Sequence, residues 1–432
     1  MKTVAFYTLG CKVNQYETEA MAELFKNAGF TVTDFENISD IYIINTCTVT
    51  AMSDRKSRQI IRRAKKKNPE AIIAVTGCYA QTAPEDVLKI DGVNLLVGTN
   101  ERHNIVELLE NVTAKSKTSA VYDIMNAHEF EELSISSYSE RTRAYIKIQE
   151  GCNQFCTYCI IPYARGPVRS RNPESIIAEV ERLAKNGFSE IILTGIHVAS
   201  YGVDLKDMDL ERLLLMVDKV EGIKRIRLSS IEPMTLDEEF IKTVSASKKL
   251  CHHFHLSLQS GCDETLKRMN RKYTTAQYRE IVSGLRKKYP DVSITTDIMV
   301  GFPGETDEEF EKTVGFLEDI AFSDAHIFQY SPRNGTPAAK RKDQVDSRIK
   351  EERSKTVLKI TQKSRDEFLN SFLGKTYSVL FEQPAKDGFF EGKTDNYMTV
   401  LVPTTQNLSG KFYDVKLEKT ENGVIFGTII ES

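Results

Sequence analysis

Three cysteines fall within the stretch "GCNQFCTYCIIPYARG", which runs from Gly151 to Gly166. Cys152, Cys156 and Cys159 form a C-x3-C-x2-C run, a cluster of soft ligands that invites a metal. A structural zinc site closes with four N/S ligands, yet the next histidine is His197 and no second C-x2-C exists. Iron–sulfur clusters are held by closely spaced thiolates, and a cubane on three protein ligands keeps one iron free. The run therefore favours an iron–sulfur cluster with an open position over zinc.

A second set is dispersed in sequence. Cys11, Cys47 and Cys78 follow the strand-like runs "TVAFYTLG", "IYIINT" and "AIIAVTG". In an open parallel α/β sheet the carboxyl ends of the strands share one edge, and ligands bind there. A third grouping, Cys251, His252, His253, His255 and Cys262 in "LCHHFHLSLQSGC", supports a rival reading as a zinc-dependent RNA-binding protein.

A chain of 432 residues exceeds one ordinary core, so two or three domains must position these groups. Residues 1–130 alternate strand-like and helix-like pieces and predict an open parallel α/β sheet. Residues 131–143 lack a clear period, are rich in Ser and Glu, and read as a linker. From 144 to 371, "AYIKIQ", "EIILTG", "RIRLSS", "HFHLSL", "VSITTDIMVG" and "AHIFQY" alternate with helical stretches. Six βα units predict a partial (β/α)6 barrel, whose chemistry belongs at the strand ends. From 372 to 432, "TYSVLFEQ", "NYMTVLVP", "FYDVKLEKT" and "VIFGTII" are short strands between turn residues, a small all-β barrel. The (β/α)6 barrel is expected to be complete without this tail. No apolar run approaches a membrane span. The first residues lack a signal-peptide pattern, and the eight cysteines are expected reduced or metal-bound in a cytoplasmic protein.

C-x3-C-x2-C after the first strand of a six-unit barrel resembles the radical S-adenosylmethionine (SAM) enzymes. The resemblance implies a 4Fe–4S cluster on Cys152, Cys156 and Cys159, whose open iron chelates SAM and whose electron splits it to a 5′-deoxyadenosyl radical. It places Tyr158 near the cofactor and Gly195, in "LTGIH", where relatives bind the SAM amino group. "RLSSIEP", "HLSLQSG" and "TDIMVGFPGET" resemble further cofactor-facing segments, which nominates Ser230, Gln259 and Gly301.

Taken with the N-terminal domain and the tail, the whole chain resembles the methylthiotransferases. There Cys11, Cys47 and Cys78 would hold a second 4Fe–4S cluster, two SAM molecules would supply methyl and radical, and a TRAM-like tail would bind RNA. The implied partners are a tRNA anticodon stem-loop, a reducing electron donor and a sulfur source, with the protein a monomer. "YTLGCKVNQYETE" and "LTGIHVASYG" resemble the branch that modifies threonylcarbamoyladenosine 3′ of the anticodon. The isopentenyl branch has a Gln-Met-Asn pattern where this chain has Lys12-Val13-Asn14. A third branch modifies an aspartate of a small-subunit ribosomal protein, and Leu9-Gly10-Cys11 alone fits it too.

Net charge is −3 and does not demand a polyanion, so local charge decides. From Asp54 to Lys67 there are eight basic residues and one acid, and from Arg333 to Arg365 eleven against four. Such patches could track phosphates, although basic helix faces are also simply solvated. The tail has six Lys against eight acids, so RNA binding there would rest on stacking by residues such as Tyr377, Phe389, Phe390 and Tyr397.

Overall fold

A run such as "IYIINT", apolar at nearly every position, suits a strand covered on both faces. In the computed structural model, which describes residues 1–136 and 142–430, all six residues of β3 (Ile41–Thr46) are buried. It pairs in parallel with β1 (Thr3–Thr8) and β4 (Ile72–Gly77). With β2 (Thr31–Thr33), β5 (Val93–Val97) and β6 (Thr118–Ala120) the sheet order is β2-β1-β3-β4-β5-β6. Tyr42, Ile44 and Val75 pack into one face cluster, and Ile41, Ile43 and Ala74 into the other. The register pairs Thr8 with Asn45 and Thr46 with Gly77, so three neighbouring strands end at one height. Each then turns toward a helix: α1 (Lys12–Asn27), α2 (Ala51–Lys67) and α3 (Cys78–Thr82).

All six strands expected of the second unit form: β7 (Arg143–Glu150), β9 (Glu190–Gly195), β10 (Arg225–Leu228), β11 (His253–His255), β12 (Ser293–Val300) and β13 (Asp324–Gln329). A two-residue antiparallel β8 (Arg169–Ser170) adds to the outer edge of β7. Two parallel sheets, β10-β9-β7-β8 and β11-β12-β13, are joined by the bridges Ile226–Leu250 and Ile231–Leu256. The result is an open, partial barrel. Its core takes in Tyr16 and Ala20 of α1, so the N-terminal domain packs directly on it.

Part of the expected linker is structural. Leu133 and Ile135 are buried in the barrel core, and the Glu131 carboxylate receives Arg102. Three buried residues without period carry no helix or strand signal. The remainder of that segment, 137–141, and the last two tail residues lie outside the described residues.

The tail closes as a five-stranded barrel, β14 (Thr376–Pro384), β15 (Phe389–Lys393), β16 (Thr399–Pro403), β17 (Phe412–Glu421) and β18 (Val424–Ile429), in the order β14-β15-β16-β18-β17. Sequence reading finds four of these. β15, "FFEGK", is hidden because Gly392 stands at a core position, where a Cβ would lie 2.5 Å from Val379. Nor is the larger barrel finished without the tail. Arg225 donates to the carbonyls of Lys393 and Ser378, Arg227 to that of Asp395, and Asn396 to that of Asp291. Tail carbonyls thus satisfy cations at the starts of the barrel strands.

Candidate active site

Cys11 is the N-cap of α1, Cys47 follows β3 directly, and Cys78 opens α3. The fold gathers them: each thiol feels another electrostatically, Cys11 with Cys47, Cys47 with Cys78, and Cys78 with Cys11. Two glycines allow this approach. A Cβ on Gly10 would stand 2.9 Å from that of Cys47, and one on Gly77 2.4 Å from Asn45 Oδ1; both have positive φ. Burial pushes all three thiols up, and the Arg165 guanidinium opposes it. Arg165 Nε lies 3.2 Å from Cys78 Sγ. Cys11 as a residue is exposed yet its sulfur is desolvated, which fits a thiol facing into a deep cavity.

The second triad occupies the loop after β7. Burial, with the neighbouring Cys156 adding to it, raises the Cys152 thiol to about 11 and that of Cys159 to about 12. Arg271 Nη1 lies 3.4 Å from Cys156 Sγ. The loop is held at its turn: Phe155 has φ +46°, and its carbonyl accepts from Asn270 Nδ2 at 3.1 Å. Each triad thus pairs three sulfurs with one guanidinium. Soft anionic donors beside a fixed cation suit an iron–sulfur cluster, whose sulfurs accept hydrogen bonds.

Zinc fits neither triad. Among the described residues, the sets of ligand atoms mutually within 4.8 Å are His255–Asp297–His326 and His252–Asp291–Asp395, with no cysteine. The triads are more widely spread than a single ion requires. Nor do the members of "LCHHFHLSLQSGC" converge. Cys262 pairs with Glu264, His252 with Asp291, and His255 with Asp297.

A cavity of ≈850 Å³ lies between the triad domains, walled by Cys11 and Lys12, by Gly195 and Ser230, by His253, and by Tyr397 of the tail. Three of the chain's units meet there. Gly195 must be glycine, since a Cβ would sit 2.9 Å from Gln149 Oε1, itself held by His197 N at 2.7 Å. Gln259 and Gly301 are not part of that wall. Gln259, at φ +69°, bridges to β12, and the Gly301 N–H donates to Glu305 beneath the Lys350 side chain. Tyr158 is half-buried against Phe302.

Of the tail aromatics, Phe390 is core, Phe389 packs on Phe426, and Tyr377 packs on Phe372. Tyr397 is the one that reaches the cavity. It stacks on His253 at 4.6 Å, with the Arg227 guanidinium 4.6 Å from its ring.

Sequence reading missed the buried ionic network behind Cys78. Glu17 receives Lys147 at 2.9 Å and Arg165 at 2.5 Å and pairs with Arg102. Burial alone would raise the Glu17 carboxyl, but Arg102, Arg165 and Lys147 hold it well below the usual range. The "EGC" at Glu150 to Cys152 carried the only hint, an acid beside a ligand run.

The radical SAM superfamily profile matches residues 146–317, the Uncharacterized protein family UPF0004 residues 3–98, and the TRAM domain residues 370–430. A threonylcarbamoyladenosine tRNA methylthiotransferase, MtaB, of Bacillus subtilis is 45% identical over 97% of this chain and 94% of its own length. A tRNA-2-methylthio-N(6)-dimethylallyladenosine synthase of Acetivibrio thermocellus is 36% identical, covering 99% of this chain and 91% of its own. The radical S-adenosylmethionine methyltransferase TsrM of Kitasatospora setae shares the fold, with TM-score 0.59 at 16% identity, over 78% of this chain and 77% of that one.

Proposed function

Because this chain belongs to the methylthiotransferase family of radical SAM enzymes, we propose that it adds a methylthio group to carbon 2 of threonylcarbamoyladenosine in tRNA. The modified base is the one 3′ of the anticodon, and two SAM molecules are consumed. The observation that carries this reading is the cavity itself, onto which Cys11, the barrel strand ends at Gly195 and Ser230, and the tail all open. The higher identity to the threonylcarbamoyladenosine enzyme than to the dimethylallyladenosine one supports the substrate.

Cys152, Cys156 and Cys159 would hold one 4Fe–4S cluster, and Cys11, Cys47 and Cys78 the other. Bound there, the clusters and SAM supply the one-electron chemistry and the methyl group, which no side chain here can provide. The chain's own residues do the rest. Gly195 and Ser230 would offer backbone and hydroxyl groups to the cofactor and Tyr158 would stand beside the barrel-loop cysteines, whereas Gln259 and Gly301 stand outside that wall and would act only on the backbone behind it. Arg165 and Arg271 donate toward cysteine sulfurs, which favours the anionic state of each site. The walls exclude water from an unactivated C–H bond whose radical would otherwise be quenched. A reducing donor and a sulfur source complete the reaction, and a monomer working in the cytoplasm fits a tRNA substrate. None of the helices is long and apolar enough to cross a membrane among the described residues.

Nucleoside mass spectrometry of tRNA from a strain lacking the gene tests this. The methylthiolated threonylcarbamoyladenosine should vanish while its unmethylthiolated precursor accumulates. Loss of the dimethylallyl form instead, or unchanged tRNA, would overturn the assignment.

A further inference from the structure

The cavity wall carries polar groups that the proposed cluster chemistry leaves unused. Lys12, next to Cys11, lines the cavity and forms no ion pair among the described residues. Its electrostatic neighbours are Tyr397 first, then Arg227 and Arg143. Those two arginines are already matched: Arg143 pairs with Glu382 at 2.7 Å, and Arg227 with Glu190 at 3.0 Å. Lys12, with only the neighbouring Cys11 thiol and the Tyr397 phenol as potential anions, is the one of these three cations without a carboxylate in ion-pair range among the described residues.

Two further groups sit beside it. His253 is only 6% exposed, and its Nδ1 has no hydrogen-bond partner, while its Nε2 lies 3.1 Å from Thr295 Oγ1. A buried polar atom left unpaired in a cavity wall points to a ligand. Tyr397 stacks on that ring and holds φ +71°, a backbone state that non-glycine residues rarely adopt and that clusters at functional sites. His255, two residues along the same strand and bonded to the same Thr295 Oγ1, is instead paired to Asp297.

A surplus ammonium, an unpaired imidazole nitrogen and a phenol ask for one small anion with several acceptor sites. We infer that Lys12, His253 and Tyr397 form the subsite that takes the carboxylate of the threonylcarbamoyl group. The inference rests on the proposed substrate. Carbon 2 and the N6 substituent belong to the same six-membered ring, so bringing carbon 2 near Cys11 carries the carboxylate into this cavity. The ribose and its phosphates attach through the other ring. A dimethylallyl group has no charge to offer, and admitting it would leave Lys12 desolvated and unmatched, a penalty that discriminates between the two substrates.

The test uses two anticodon stem-loops, one with threonylcarbamoyladenosine and one with its carboxylate methyl-esterified. Equilibrium Kd and kcat/KM are measured for both with the cluster-loaded enzyme. The wild type should prefer the free carboxylate by roughly tenfold to hundredfold. Lys12→Gln should bring that preference close to one, Lys12→Arg should retain most of it, and Tyr397→Phe, remote in sequence from any cysteine, should reduce it several-fold. Preferences unchanged in both Lys12→Gln and Tyr397→Phe would overturn the subsite. So would equal losses on both stem-loops, which would assign Lys12 to a phosphate or to the methionyl carboxylate of SAM. A wild type that modifies neither stem-loop would refute the proposed substrate instead, and is thereby distinguishable.

Discussion

Arg165 Nε lies 3.2 Å from the sulfur of Cys78, so a side chain just beyond the barrel's cysteine run touches the N-terminal triad. The rest of its guanidinium joins the two domains. Nη1 donates to Glu17 at 2.5 Å and to Glu150 at 3.1 Å, and Nη2 to Asn14 Oδ1 at 2.6 Å. The two sites are therefore held in one fixed relation by a single planar fork, which lysine cannot reproduce.

Arg165→Ala would leave Glu17 and Glu150 short of a buried partner, and breaking such a pair costs about 3–5 kcal/mol. Denaturant unfolding should show a loss of that order. Arg165→Lys should recover part of it while still loosening Cys78. Iron content in reconstituted protein should fall selectively at the N-terminal site in both variants. Unfolding curves that coincide with wild type would show the network is not a structural tie.

Separate triads predict separable losses. Replacing Cys152, Cys156 and Cys159 with Ala should halve the reconstituted iron and abolish 5′-deoxyadenosine formation. Cys47→Ala should abolish the methylthiolated product yet spare reductive SAM cleavage, because the barrel loop is untouched. Production of 5′-deoxyadenosine by the triple variant, or normal product from Cys47→Ala, would contradict the division of labour.

What was legible in the sequence was whatever local pattern determines. The runs ending at Gly10-Cys11, Thr46-Cys47 and Gly77-Cys78 announced strands and their shared edge, and the six barrel strands followed from apolar runs alone. The ionic network was not legible, since Glu17 in "QYETEAM" looks like the wet face of an amphipathic helix. Only the distant Arg102, Lys147 and Arg165 make it an interior residue. For the same reason Tyr397, in a turn of the tail, gave no sign that it faces His253. Contacts between domains leave no period in either partner.

A histidine links the tail to the barrel and should make that docking pH-dependent. His252 Nδ1 lies 2.8 Å from Asp291 Oδ1 and 3.8 Å from Asp395 Oδ2, with the Tyr289 ring at 4.6 Å and Tyr377 on the other Asp291 oxygen. The hydrogen bond to Asp291 raises the histidine above its ordinary 6.5, and the same bond lowers Asp291 below 3.8. The charged pair is thus fully present between roughly pH 4 and 6.5 and is lost as the pH rises through the raised histidine value. Partial exposure limits the effect to under about 1 kcal/mol. Thermal unfolding of wild type and His252→Gln should differ most near pH 6 and converge by pH 9. A gap independent of pH would rule out the protonated pair.

The basic helix α2 gives the last expectation, about how RNA reaches the cavity. Its N-cap Thr50 adjoins Val49, which lines the cavity, and Asp54 in its first turn is held by Arg333 at 2.6 Å. The helix therefore starts beside the cavity, with its first turn tied to the barrel through Arg333. Some of its cations are committed, Arg63 and Lys67 to Glu36 and Arg58 to Tyr79. Arg55, Lys56, Arg62 and Lys66 are exposed and have no acidic partner among the described residues. If they track phosphates flanking the modified base, each releases counterions on binding. Single alanine substitutions should then lower stem-loop affinity and reduce the slope of log K against log salt by about 0.7 to 0.9 each. Free nucleoside binding should not change, because these residues stand outside the cavity wall. Slopes that stay at the wild-type value would mean that α2 is a solvated face and that the RNA approaches from another side.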